Sequence, residues 1–214
     1  MPRTYVWVFE SRRVELGEPH LIGKKMKVKI LLEAGHDLAL RGMAYSYKDR
    51  AIDPDTWWEG QRDKALKRAP LLAPKGEGHN KFLRQIMLWI DIEAPRCWWS
   101  EFDTYKVGTV SNSESTMHTL SKRPPMFGDF EYGTHEDTVF TFMRAWEMAK
   151  GDVTTLKMNL PEGFLQRRMV TMNYDNLRNI INQRTGHRLK TWQVFIDSIR
   201  SQVEHPEYLP LGCH

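Results

Sequence analysis

Asn173-Tyr174-Asp175-Asn176-Leu177-Arg178-Asn179-Ile180-Ile181-Asn182-Gln183-Arg184-Thr185-Gly186-His187 is the stretch on which the reading of this chain turns. It reads as a helix from Tyr174 to Thr185 with Asn173 placed to cap its start. The spacing of Asn179 and Asn182 sets both amides on one helix face. Asn competes for backbone hydrogen bonds and is a poor helix former in the interior, so two on one face ask for a reason. An amide both donates and accepts, which suits reading the edge of a pyrimidine or flavin ring. A solvated polar face fits the same residues. Arg184 closes the helix, where the terminal carbonyls favour a cation in any case.

Working outward, Leu189 to Val203 reads as a last helix, with Trp192, Phe195, Ile196, Ile199 and Val203 on one face. Upstream, Pro161-Glu162-Gly163 turns into a strand from Phe164 to Met172, and Thr138 to Lys150 reads as a helix closed by Gly151. Val110 to Lys122 is polar and rich in Ser and Thr, the pattern of a contacting loop. Pro95 opens a helix with Cys97, Trp98, Phe102 and Tyr105 on its apolar side, stopped by Gly108. The run Ile86 to Ile90 suggests a buried strand. Asp53-Pro54 is an N-cap followed by proline at the first helical position, predicting a helix to about Arg68, ended by Pro70 and Pro74. Asp37 to Asp49 has no clean period, and Arg3 to Val14 and Met26 to Leu32 read as strands.

The 214 residues, 41% hydrophobic and 27% charged, suffice for the core of one ordinary domain or two small ones. No apolar run approaches the roughly 20 residues of a membrane helix, and Met1 to Glu10 lacks a leader pattern, which points to the cytoplasm. Two cysteines, Cys97 and Cys213, build neither a disulfide framework nor a zinc site, so no metal is expected from them. The net charge of +4 suits an anionic ligand, nucleotide or nucleic acid, and equally an ordinary solvated surface. Eight tryptophans serve cores first and flat ligands second.

The 173–187 stretch resembles the C-terminal signature helix of the flavin-dependent thymidylate synthases, in which an Asn opens the segment, a Leu and an Asn follow, and an Arg ends it before a His. A second segment is similar to that family's strand, Ala-Pro turn, helix and nucleotide loop: Ile92-Glu93-Ala94-Pro95, then Ser111-Asn112-Ser113-Glu114-Ser115. Its Arg-His-Arg hallmark becomes Thr104-Tyr105-Lys106 here, and Asp175 stands where an Arg is typical. Gly78-His79-Asn80-Lys81-Phe82 is similar to the family's Gly-His-x-x-Phe-Glu-His segment, with Leu83 and Arg84 in place of the Glu-His half.

The resemblance implies an α+β fold, one mixed domain over residues 1–214 with a central antiparallel-type sheet flanked by helices. It implies FAD as cofactor, NADPH as reductant, methylenetetrahydrofolate as one-carbon donor, and a pyrimidine deoxynucleotide, dUMP or a relative, as substrate. It also implies a homotetramer whose sites draw on several subunits. By position, His79, Thr104, Tyr105, Lys106, Asn173, Asn179 and His187 would line the flavin. Glu114, Ser115, Arg168 and Arg184 would hold the nucleotide, with Arg184 and Ser115 at the chemistry. Lys106, Arg167 and Arg168 are the cations available to a phosphate. Two other readings stand beside this one: a family-fold protein that keeps nucleotide or nucleic-acid binding without the reaction, and a generic α+β scaffold.

Overall fold

The structure is a computed structural model that describes residues 21–210, so the Arg3 to Val14 strand reading lies outside the described residues. Its centre is a four-stranded antiparallel sheet built from β2 (Lys27–Ala34), β3 (Met87–Pro95), β4 (Thr109–Ser113) and β6 (Leu165–Asn173), in the order β2-β3-β6-β4. β1 (Leu21–Ile22) and β5 (Thr134–His135) make a separate two-stranded pair. The helices are α1 (His36–Ala44), α2 (Pro54–Leu72), α3 (Arg96–Phe102), α4 (Thr116–Thr119), α5 (Glu136–Ala149), α6 (Val153–Met158), α7 (Tyr174–Arg184) and α8 (Thr191–Arg200).

Alternation along β3 explains the layering. Leu88, Ile90, Ile92 and Ala94 are buried, and their cross-strand partners Met172, Val170, Arg168 and Gln166 share that face. Against it pack the apolar sides of α7 and α8, together with the Trp98, Trp99 and Phe102 of α3. Trp98 is fully buried and lies within 4.7–5.4 Å of the rings of Trp99, Phe102, Trp192 and Phe195, measured between centroids. A second cluster, centred on Phe130, Val139, Phe142 and Leu156, forms under α5 and α6.

The opposite sheet face is different. Leu32, Trp89, Thr171 and Val110 stand in one row across all four strands, and Leu32 and Val110 are exposed. The next row is Lys29, Asp91, Met169 and Asn112.

Local chemistry sets the boundaries. Asp53 caps α2 by accepting from the backbone N–H groups of Asp55 and Thr56. α2 continues past Pro70 to Leu72 rather than stopping before it. The proline removes one N–H near the end of the helix, where only two more residues follow. Val110 to Lys122 is not a plain loop: its first part is the edge strand β4, and Thr116–Thr119 is a short helix. An edge strand needs only one bonded neighbour, so a polar sequence serves there, and periodicity alone misses it. The helix opened by Pro95 ends at Phe102, well before Gly108.

Gly35, which passes from β2 into α1, has φ 93°, and a Cβ on it would lie 2.5 Å from the Gln85 carbonyl oxygen. Both the left-handed backbone and the contact exclude a side chain. Gly35→Ala should therefore lower stability by about 1–3 kcal/mol, measured by urea denaturation. An unchanged midpoint would show that the turn relaxes freely.

Candidate functional site

α7 follows β6 without a break. Asn173 is the last residue of the strand and also the N-cap of the helix, its side chain accepting from the Asn176 N–H. The junction is fixed a second time by Asn176, whose amide donates to the Val107 carbonyl. These contacts lay α7 against the segment that follows α3, where three of the residues singled out in the sequence meet: Tyr105, Arg184 and His187.

Arg184 is the centre of that group. Its Nε donates to the Tyr105 hydroxyl at 2.8 Å, its Nη1 donates to Glu101 Oε2 at 2.7 Å, and His187 Nε2 lies 3.1 Å from Nη1. The guanidinium sits 4.5 Å from the centroid of the Trp192 ring and 5.4 Å from that of Tyr105. Glu101 Oε2 accepts a second bond, from Trp192 Nε1 at 2.7 Å. A planar guanidinium packed beside two aromatic rings and bonded to a carboxylate is held in one orientation. The remaining amino group, Nη2, makes no hydrogen bond among the described residues. Beside this group, Asn179 and Lys106 are exposed, as is Thr104, whose hydroxyl donates to the Glu101 carbonyl.

The other candidates lie apart from Arg184. Arg168 is on the core face of β6, donating to Asp103 at 2.7 Å and to Gln166, with its guanidinium 4.2 Å from the Trp99 ring centroid. Three polar and aromatic partners, Asp103, Gln166 and Trp99, tie it between the sheet and the α3 region. Glu114 lines an open groove of about 630 Å³ on the other sheet face, with Asp91, Glu93, Asn112 and Arg167. Arg167 is 3.8 Å from Asp91 and 3.9 Å from Glu93. Three carboxylates against one guanidinium disfavour a phosphate there and suit the N–H or O–H edge of a base or sugar. Ser115 precedes α4, its carbonyl accepting from Thr119.

His79 lies in a third place, on a cleft between α1, α2 and residues 78–85. Asp175 connects it to α7, accepting from Asn80 at 3.2 Å and from Arg84 at 2.9 Å. The carboxylate that replaces the expected arginine thus has cationic and amide partners of its own. The sequence singled out Arg184 but not Glu101 or Trp192, the two side chains that position it. Glu101 is 83 residues away in the chain, and nothing in local spacing marks it.

Where β1 and β5 meet the sheet, Glu131 is pushed up to about 7, chiefly by burial and then by the neighbouring Glu93 carboxylate. Neither Glu131 Oε2 nor Glu93 Oε2 has a partner among the described residues. A carboxyl whose folded value exceeds its unfolded one favours the native state while protonated, so that contribution fades as pH rises from about 4.5 to about 7. Glu131→Gln should accordingly raise stability by ~1 kcal/mol at pH 8, discounted for partial exposure, and by nothing at pH 4. Equal effects at both pH values in thermal melts would contradict this.

No family model matches the sequence, and no curated relative matches it. Solved structures do match in fold. Thymidylate synthase X from Helicobacter pylori, solved with FAD and dUMP, superposes with a TM-score of 0.66 at 14% identity, over 86% of this chain and 97% of that one. A second structure of the flavin-dependent thymidylate synthase from that organism, complexed with FAD and dUMP, gives 0.67 at 14% identity, over 88% and 100%. The UMP/dUMP methylase PolB from Streptomyces cacaoi, bound with 5-Br UMP, gives 0.55 at 14% identity, over 86% and 92%. The chain has the fold of the flavin-dependent thymidylate synthases, a mixed α and β architecture around an antiparallel sheet. Among the described residues no helix is long and apolar enough to cross a membrane.

Proposed function

We propose that this protein is a flavin-dependent enzyme of pyrimidine nucleotide metabolism, transferring a one-carbon unit from methylenetetrahydrofolate to C5 of dUMP or a related pyrimidine deoxynucleotide. The observation that carries this reading is Arg184, held by Glu101, Tyr105 and Trp192 with one amino group that bonds to none of the described residues. Attack by C5 on a one-carbon electrophile builds negative charge on the pyrimidine carbonyl, and a fixed guanidinium stabilises that charge without reorganising. Asn179, on α7, and His187, just beyond its end, would contact the flavin edge, as would Tyr105 and Lys106. Glu114 and Ser115 would read the base or sugar.

FAD fits the residues present, since exposed amides and a tyrosine ring lie beside Arg184 and a cationic cleft surrounds His79. Bound FAD would supply the redox chemistry, with NADPH as the reductant. The likeness in fold to structures containing FAD supports this assignment. The uncovered row Leu32, Trp89, Thr171 and Val110 gives a second copy an apolar face to pack on, in keeping with a cytoplasmic homotetramer.

Purified protein should be yellow, with flavin absorbance at a stoichiometry near one FAD per chain, and light scattering should give the mass of four chains. Folded protein that neither carries nor takes up flavin would remove the proposal. A second reading, nucleotide binding without catalysis, draws on Glu101, whose carboxylate offsets the charge of Arg184. Nucleotide binding without flavin binding would favour it.

A further inference from the structure

Glu33 stands on a face of the sheet that a regular β2 would not give it. Lys27 and Lys29 lie on the open face, and strict alternation would send Glu33 after them. The register of β2 against β3 shifts between Ile30 and Leu32, leaving Leu31 out of the pairing. Glu33 therefore comes opposite the buried Leu88, on the covered face with Val28 and Ile30. A bulge of this kind re-aims a side chain, and bulges recur beside functional sites.

The re-aimed carboxylate meets the segment that follows α8. Tyr174, fully buried, donates its hydroxyl to Glu33 Oε1 at 2.6 Å, and the Glu204 N–H donates to Oε2 at 3.0 Å. The same hydroxyl accepts from the His205 N–H at 3.3 Å. Glu33, Glu204 and His205 are thereby gathered so that one donor atom of each lies within 4.8 Å of the others. Ligands of a small divalent cation bound at about 2.0–2.2 Å stand up to about 4.4 Å apart, so the three need close only slightly. The imidazole is also held from outside the trio: Glu207 Oε1 lies 3.1 Å from His205 Nδ1, and the His36 ring stacks on the His205 ring at 3.5 Å between centroids. Neither Glu33 nor Glu204 enters an ion pair among the described residues. Two carboxylates so close repel each other, and a doubly charged cation between them relieves the repulsion.

We propose that Glu33, Glu204 and His205 form a site for one divalent transition-metal cation, with Zn²⁺ the best match. An imidazole beside carboxylates suits Zn²⁺, whereas Mg²⁺ and Ca²⁺ take oxygen ligands alone. Water completes the coordination. One ligand comes from the end of β2 and two from beyond α8, so the cation braces the C-terminal segment against the sheet. Tyr174, which orders the ligands, is the first residue of α7, at the opposite end of that helix from Arg184. The site owes nothing to the flavin reading, and its failure would leave that reading untouched.

The test is calorimetric titration of zinc chloride into the full chain, stripped with EDTA and dialysed, beside Glu204→Gln and His205→Asn variants and with Mg²⁺ as the comparison ion. Glu204 is exposed, so Glu204→Gln should keep the fold, and circular dichroism checks it. The wild type should take up one Zn²⁺ with a Kd on the order of micromolar or below, and its melting temperature should rise on binding. Each folded variant should bind Zn²⁺ at least about tenfold more weakly. No Zn²⁺ binding by the wild type, or wild-type affinity in Glu204→Gln, overturns the site. Mg²⁺ bound as tightly as Zn²⁺ overturns it too, making the cluster an acidic surface. Zn²⁺ binding that leaves the melting temperature unchanged overturns the brace.

Discussion

Arg184→Ala should weaken binding of dUMP or dCMP by about 2–5 kcal/mol, the usual loss when a charged partner is removed from a nucleotide oxygen. The same change leaves Glu101 Oε2 with Trp192 Nε1 as its remaining close hydrogen-bond donor. The Arg184 side chain is 16% exposed and that of Glu101 34%, so the stability loss should stay near ~1–2 kcal/mol, below the figure for a fully buried pair. Arg184→Lys separates the two effects. An ammonium can reach either Glu101 or the nucleotide but cannot span the Tyr105 hydroxyl, the carboxylate and a ligand with one planar fork. Lysine should therefore recover most of the thermal stability and little of the nucleotide affinity. Calorimetry beside thermal melts decides it: wild-type binding in both variants, with only the melting temperature moved, would make Arg184 a helix-end residue and the site wrong.

Trp98→Ala should be the most damaging single change to the fold, costing about 3–5 kcal/mol. Trp98 is completely buried, and its ring touches the Trp192 ring that lies under Arg184. Removing it leaves a cavity between α3 and α8, the two elements that carry Glu101 and Trp192. Nucleotide affinity should fall along with stability, because the Glu101 to Trp192 bond depends on that spacing. Trp98→Phe keeps most of the volume and should cost about half as much. Chemical denaturation measures both, and a Trp98→Ala loss under ~1 kcal/mol would mean the aromatic cluster repacks without it.

The parts of the fold that could be read in the sequence are those with strong local signals. The Asp53-Pro54 cap started α2 where the sequence placed it, and the run Ile86 to Ile90 became the centre of the sheet. The last two helices lie where their apolar spacing put them. What escaped were elements whose stability comes from neighbours. β4 is polar and is defined by its bonds to β6, while α1 is nine residues long and held at its start by a left-handed glycine.

The candidate site divides in the same way. Arg184 and Asn179 were legible because they share a helix, and His187 because it follows closely. Glu101 and Trp192 reach Arg184 only through tertiary packing. The cations of the His79 cleft come from α2 and the segment after it, where sequence shows each as an ordinary surface charge. Arg168 shows that position along a strand does not fix what a side chain meets: it packs on the Trp99 ring, on the sheet face opposite the Glu114 groove.

The most direct test of the central claim is tritium release. Substitution at C5 of the pyrimidine must expel the hydrogen already there. The protein loaded with FAD should liberate tritium to water from dUMP or dCMP labelled at C5, in the presence of methylenetetrahydrofolate and NADPH. Release should stop when FAD is omitted and fall by at least about tenfold in Arg184→Lys. Folded, flavin-loaded protein that leaves the label in place on both nucleotides would contradict the account.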